Sequence, residues 1–148
     1  MIFSPTSQYA LRALIYLATH EDSGPVLGRT IAESEKIPKQ FLSKILHNLR
    51  NKGFIRSTMG PGGGYQLAKP AGQVTVLQVV TAVEGPLNLE DTCILGLDKC
   101  NDKEHCALHD QWKTFKEKFI SKITMMTLDE AGAVLIRKRK SGTKKRRR

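Results

Sequence analysis

Apolar residues recur at helical spacing through the first third of the chain, and polar, Gly- and Pro-bearing gaps separate the stretches. Tyr9, Ala10, Ala13, Leu14 and Leu17 fall on one face of a first helix, with Thr6 or Ser7 as its cap and an end near His20. Residues 21–25 read as a loop. A short second helix, about Arg29 to Glu35, turns Ile31 and Ala32 inward, and Ile37-Pro38 breaks it. A third helix, about Lys39 to Lys52, has Phe41, Leu42, Ile45, Leu46 and Leu49 as its buried stripe. Its other face offers Lys39, Gln40, Ser43, Lys44, His47 and Asn51, and Gly53 stops it as a left-handed cap. Two short helices meeting at a tight turn, the second ending in glycine, read as a helix-turn-helix.

The period then changes. Phe54-Ile55-Arg56-Ser57 and Tyr65-Gln66-Leu67-Ala68 are short strand candidates around a glycine-rich tip, Thr58 to Gly64, and together they predict a hairpin wing. A phosphate-binding loop of the nucleotide-hydrolase kind is not expected, because that motif needs Gly-Lys-Ser/Thr opening a helix. Thr75 and Gln78 form a capping box for a fourth helix through Val76, Val79, Val80 and Val83, which Gly85-Pro86 ends. From about Ala107 to Met126, Leu108, Trp112, Phe115, Phe119, Ile123 and Met126 are spaced 4, 3, 4, 4, 3. Such a narrow seam of large residues suits a partner helix. A helix of about 20 residues spans about 30 Å, more than so small a domain needs for itself. A subunit interface through Leu108, Trp112, Phe115, Phe119 and Ile123 is therefore expected. Thr127 and Glu130 suggest one more capped helix, ending near Ile136. The expected fold is mainly α with a small β-hairpin wing. Residues 1–86 form a winged helix-turn-helix DNA-binding domain and 87–107 a cysteine-containing loop. Residues 108–136 hold the dimerisation helix and a short helix, and 137–148 a disordered basic tail.

Composition adjusts this picture in three places. No apolar run approaches the roughly 20 residues of a membrane span, and residues 1–20 lack the basic start of a signal peptide, so a cytoplasmic protein with no membrane partner is expected. The net charge is +10, but nine Lys and Arg lie in residues 137–148, which contain no acid. That segment reads as a solvated or a nonspecific DNA-binding tail. Residues 1–58 carry a smaller excess, eight basic against four acidic residues, where the helix-turn-helix lies. Finally, Cys93, Cys100 and Cys106 fall within 14 residues. Their odd number, without a signal peptide, argues against a disulfide framework and points to metal or redox chemistry. An iron–sulfur cluster, a zinc site using Cys3His and a thiol switch all remain open at this stage. No nucleophile–base set suggests an enzyme, and the acids Glu90-Asp91 read as solvated charge.

Several stretches together resemble the Rrf-type winged-helix transcription regulators, the IscR-like and NsrR-like iron–sulfur proteins. They are Tyr9-Ala10, Phe41-Leu42-Ser43-Lys44-Ile45-Leu46, Gly60-Pro61-Gly62-Gly63-Gly64-Tyr65-Gln66-Leu67-Ala68, Ala82-Val83-Glu84-Gly85-Pro86, and the cysteine loop with Cys106-Ala107-Leu108-His109-Asp110-Gln111-Trp112. The resemblance spans about residues 1–126. It implies a homodimeric regulator on double-stranded DNA with a near-palindromic operator, acting as a repressor that senses iron–sulfur, redox or nitric-oxide status. It also implies a cluster on Cys93, Cys100 and Cys106, 2Fe–2S ahead of 4Fe–4S, with His109 as fourth ligand in the IscR-like pattern; His105 is a weaker substitute. The alternative is a cluster-free thiol-redox or zinc-containing regulator. On this reading Lys39, Gln40, Ser43, Lys44, His47, Arg56, Ser57, Gly60, Gly62, Gly63 and Tyr65 face DNA. The chain departs from the family pattern in three ways. The first two cysteines have six residues between them where IscR-like proteins commonly have five. Gln8 stands where some nitric-oxide sensors place an aspartate ligand, and Met59 replaces an arginine before the wing glycines.

Overall fold

A computed structural model describes residues 2–87, 89, 92–98 and 100–145; Glu90 and Asp91 lie outside the described residues. The order is α1 (Pro5–Ala18), α2 (Gly28–Glu35), α3 (Lys39–Asn51), β1 (Ile55–Thr58), β2 (Gly64–Leu67), α4 (Val76–Glu84), α5 (His109–Met125) and α6 (Leu128–Lys145), with short 3-10 turns at Glu21–Ser23 and Ala71–Gln73. It is the expected mainly α fold with a two-stranded wing. Among the described residues no helix is long and apolar enough to cross a membrane.

The core follows the helical faces. Ala10, Ala13, Leu14 and Leu17 of α1 meet Ile31 and Ala32 of α2 and Leu42, Ile45, Leu46 and Leu49 of α3. Ile55, Leu67, Val76, Val79 and Val80 close the cluster. Burying a Leu, Ile or Val stabilises by roughly 1.5–3 kcal/mol, so this shared face fixes how α3 stands on the body. Phe41 departs from the expected stripe: it is 52% exposed, because α3 needs only four residues to cover its contact with α1 and α2. The first helix starts earlier than expected, on Ser4, whose side chain accepts from the Ser7 amide, with Pro5 in the first turn. Glycine does not end α2. Lys36 adopts a left-handed conformation (φ 53°), and the Ile37 amide reaches back to the Ala32 carbonyl at 2.9 Å. The Thr75–Gln78 capping box forms as read.

The wing pairs Ile55 with Leu67 and Thr58 with Gly64, in antiparallel register. A third segment joins it: Val26 and Tyr65 exchange main-chain hydrogen bonds of 2.9 and 2.8 Å. That pairing explains Gly64, where an added Cβ would lie 2.5 Å from the Val26 carbonyl carbon. At Gly63 a Cβ would lie 2.2 Å from the Thr58 oxygen. These two glycines serve close approach.

After α5 the chain turns back and zips onto the entrance of α4. The Val76 amide bonds the Met126 carbonyl and the Leu128 amide bonds the Val74 carbonyl, both at 2.9 Å. Leu128 is fully buried there. The long helix begins at His109, and Cys106 lies in the loop before it; the His109 amide bonds the Cys106 carbonyl in a turn at 3.2 Å. One expectation about the C-terminal part needs correction: α6 does not stop near Ile136, nor are residues 137–145 a disordered tail, because the helix continues to Lys145. Its basic stretch has an anchor, because the Arg139 guanidinium donates to Glu35 Oε1 at 2.7 Å and Arg12 stands 3.6 Å from Oε2. Glu35 is buried, so two arginines from different helices balance a carboxylate in α2.

Gly62 and Gly64 separate two ways in which a wing glycine can matter. Gly62→Ala needs only a left-handed backbone in open space (φ 72°) and should cost about 1–2 kcal/mol. Gly64→Ala must also displace the Val26 main chain and should cost about 3 kcal/mol or more. Thermal melts of the two variants check this; equal shifts would mean the wing is not held against residue 26.

Candidate cluster site and nucleic-acid interface

The exposed face of α3 is polar and cationic. Lys39, Gln40, Ser43, Lys44 and His47 are all exposed, opposite the buried leucines and isoleucine. His47 lies 3.3 Å from Arg50 Nη2 and 3.1 Å from Asn51 Nδ2, and Arg50 Nη1 donates to Ser57 Oγ on β1 at 3.2 Å. Arg50 thus ties the helix to the wing, a role the spacing of apolar residues could not reveal. Arg56, Gly60 and Gly62 are exposed on the same hairpin, whereas Gly63 is buried and Ser57 and Tyr65 are half-buried. Tyr65 packs on the start of α2, where a Cβ on Gly28 would meet its ring at 3.4 Å. Met59 at the wing tip is 91% exposed.

The second cluster is the loop between α4 and α5. It folds on its own polar groups. Asn101 Oδ1 accepts from the amides of Lys103 and Glu104, at 2.9 and 3.0 Å, and the Asn101 amide donates to the Glu104 carbonyl. This tight turn brings Cys100 back beside Cys106. The Gly96 amide bonds the Cys93 carbonyl at 3.0 Å, with Gly96 in a left-handed conformation. As a result the three Sγ atoms lie within 4.8 Å of one another, all half-buried. Cys93 and Cys106 are 3.8 Å apart, and Cys100 Sγ lies 3.1 Å from His109 Nδ1. His105 is exposed and outside the thiol group.

Backbone hydrogen bonding from Leu97 holds the Cys93 thiol below its ordinary pKa. For Cys100 the hydrogen bond from the Cys106 backbone pulls downward, but desolvation and the neighbouring thiols outweigh it and push the group up. Uneven acidities are what three crowded thiols should show, since one thiolate forms most easily and discourages the next. Asp102, absent from the sequence reading, contacts His109 Nε2 at 3.1 Å, and Lys113 Nζ donates to both its oxygens at 2.9 Å. Hydrogen bonding from Lys113, then from His109, keeps the Asp102 carboxyl below its ordinary range.

The loop sits at the head of an under-buried helix. Among the described residues of α5 only Ile123 is buried, and it belongs to the protomer's own core. Trp112, Phe115 and Phe119 stack in a ladder with ring centroids 5.5 and 5.8 Å apart. Leu108 and Phe115 are 46% and 44% exposed. The Trp112 indole donates to the Thr92 carbonyl at 2.7 Å, one residue before Cys93.

Three thiolates and an imidazole are the donor set that iron–sulfur and zinc centres use. These residues fit a metal or cluster, with Cys93, Cys100 and Cys106 as the compact set and His109 approaching from the Cys100 side.

Comparison with known proteins finds relatives over most of the chain. The profile of a family described as Rrf2, iron-dependent transcriptional regulator, matches residues 3–132. The IscR regulator of Xenorhabdus nematophila is 31% identical over 130 residues, covering 88% of this chain and 78% of that protein. Among solved structures, IscR of T. potens superposes with a TM-score of 0.66 and 25% identity, over 86% of this chain and 83% of that one. CymR, the global cysteine regulator of B. subtilis, shares the fold, with a TM-score of 0.73 and 23% identity over 89% and 96% of the two chains.

Trp112 is the chain's single tryptophan and closes the loop against α5. Trp112→Phe keeps the ring stack but loses the bond to Thr92, about 1 kcal/mol of loop docking. Limited proteolysis should then cut within residues 92–108 faster, with wing cleavage unchanged. An unaltered rate would show that the loop is held without this bond.

Proposed function

The chain belongs to the Rrf2 family of transcriptional regulators, and on that premise we propose that it is a homodimeric, DNA-binding iron–sulfur sensor, acting as a repressor. The observation that carries the reading is the convergence of three thiols and His109 at the head of a helix whose aromatic face its own protomer leaves half open. A second copy of α5 would cover Leu108, Trp112, Phe115 and Phe119. The two α3 helices would then enter successive major grooves of a near-palindromic site, about 34–36 Å apart. Gln40, Ser43 and His47 read base edges, while Lys39, Lys44 and Arg56 hold phosphates.

Cys93, Cys100, Cys106 and His109 would hold a 2Fe–2S cluster, whose oxidation, damage or loss supplies the signal. An imidazole in place of one thiolate raises the potential and loosens the site, as a sensor requires. The chain's part is mechanical. Trp112 and Asp102 clamp the cysteine loop to the first turns of α5, so a change in thiol spacing is felt where the dimer helix starts. The 3.8 Å approach of Cys93 to Cys106 favours one second reading, a zinc or dithiol site in the same place, and spectroscopy separates the two. Anaerobically purified protein should be brown and contain sulfide; a colourless zinc protein would replace the cluster.

Two expectations follow for DNA. Lys44→Ala should weaken binding about equally on all sequences and flatten the salt dependence. Gln40→Ala should instead cost about 1–3 kcal/mol of discrimination at one base pair. Parent-like binding by both variants on a selected operator would remove α3 from the interface.

The sensing step has its own test. Operator titrations of holo and apo protein at one salt concentration should differ, because a ligand shifts an equilibrium only by its differential affinity for the two states. Cys100→Ala should lose the cluster, remain a dimer and bind like the apo protein. Identical affinities of holo and apo protein for every operator would end the sensor reading and leave DNA binding intact.

A further inference from the structure

We infer that Asp102 is a positioning residue for His109, fixing its tautomer so that Nδ1 is the atom offered to the cluster. The inference rests on the reading that Cys93, Cys100, Cys106 and His109 hold the cluster. Four contacts in series carry it. Cys100 Sγ is 3.1 Å from His109 Nδ1, His109 Nε2 is 3.1 Å from Asp102 Oδ1, and both Asp102 oxygens are 2.9 Å from Lys113 Nζ.

An ionised carboxylate can only accept. Nε2 therefore carries the ring proton and donates it to Asp102. A neutral imidazole has one N–H, so Nδ1 keeps its lone pair, and that lone pair faces the thiol group. A histidine side chain with no such partner could rotate its ring and present either nitrogen. Here rotation would break the bond to Asp102 and point an N–H at Cys100. The imidazole is well shielded (side chain 12% exposed) while Asp102 sits at the surface (71%), so the ring is enclosed and its orienting group is reached from outside.

Asp102 is itself held on two sides. It follows Asn101 in the tight turn between Cys100 and Cys106, and Lys113 grips it from one turn further along α5. The residue that orients the fourth ligand thus belongs to the segment that carries two of the thiols, and its clamp belongs to the dimer helix. Displacing the loop from α5 breaks the His109–Asp102 bond together with the thiol arrangement. Ligating histidines elsewhere take their orientation from carboxylates in this way, and removing such a partner typically weakens metal affinity about 10- to 100-fold.

The test uses the full chain, reconstituted anaerobically with ferrous iron and sulfide, as wild type, Asp102→Ala, Asp102→Glu, Asp102→Asn and His109→Ala. Circular dichroism checks folding, which a surface substitution at residue 102 should not disturb. Two quantities are read: the rate of cluster loss to a chelator, and the 15N-histidine coupling to the reduced cluster, with label placed at Nδ1 or Nε2. Wild type should show strong coupling from Nδ1 alone. Asp102→Ala should lose its cluster about 10- to 100-fold faster and show altered or mixed nitrogen coupling. Asp102→Glu should restore most of both properties. Asp102→Asn should fall between, since its carbonyl still accepts from Nε2–H. Wild-type rates and coupling in Asp102→Ala, while His109→Ala differs, would overturn the role of Asp102 and leave the cluster reading standing. Coupling from Nε2 in the wild type would overturn the assignment of the ligand atom. A wild type that takes up no cluster, or one without nitrogen coupling, would overturn both readings.

Discussion

The anchoring of α5 sets the terms for the rest of the molecule. This helix carries three stacked aromatic rings yet gives its own core one buried side chain, Ile123, near its C-terminal end. That end is fixed by main-chain pairing of Met126 and Leu128 with the segment before α4. Among the described residues, the opposite end is tied to the cysteine loop by the Trp112–Thr92 bond and the Lys113–Asp102–His109 contacts. A helix held firmly at one end and conditionally at the other is a lever. Burial of large aromatic rings is worth several kcal/mol, so leaving Phe115 and Leu108 in water would be a standing cost, which the proposed second protomer would remove.

Charge is arranged with similar economy. The winged body is close to neutral, and nine of the ten net positive charges sit in residues 137–148. Were all of them solvated, repulsion would favour an extended segment. Arg139 instead reaches Glu35, a carboxylate that Arg12 also faces. Removing either arginine would leave a buried acid less well balanced, which is costly in a low-dielectric site. The same pairing ties α6 to α2 through Arg139.

What could be read from the sequence is what local rules control. The faces of α1 and α3, the Thr75–Gln78 box, Gly53 and Gly85 as stops, and the wing all follow from spacing and capping chemistry. The misreadings arise where distant groups decide. Phe41 fits the apolar stripe but lies past the edge of the α1–α2 contact. Ile123 fits the dimer seam but is taken by the core once α5 folds back. Residues 137–145 look like a disordered polycation until Glu35, about a hundred positions earlier, supplies a partner. The cysteines stood out as chemistry-bearing types at close spacing, and His109 through the family resemblance. Asp102 did not, because an aspartate in a polar loop is unremarkable until the Asn101 turn aims it at an imidazole.

Two routes join the cysteine loop to the reading head, and they begin at opposite ends of the loop. One passes through α5 toward the proposed partner protomer. The other starts where α4 ends: Glu84 Oε1 accepts from the Ser4 amide at 2.7 Å, and hydrogen bonding from Ser4 holds that carboxyl below its ordinary pKa. The ionised Glu84 thereby sits at the N-terminus of α1, where a helix dipole favours negative charge. Phe3, just before it, rests on Phe119 of α5 with ring centroids 5.6 Å apart. The start of α1 thus touches both the root of the cysteine loop and α5, while its buried face packs on α3. Any displacement of α5 that keeps these contacts must carry α1, and with it α3, as a unit. That is the requirement for a change at the thiols to alter the spacing of two recognition helices rather than merely loosen a loop.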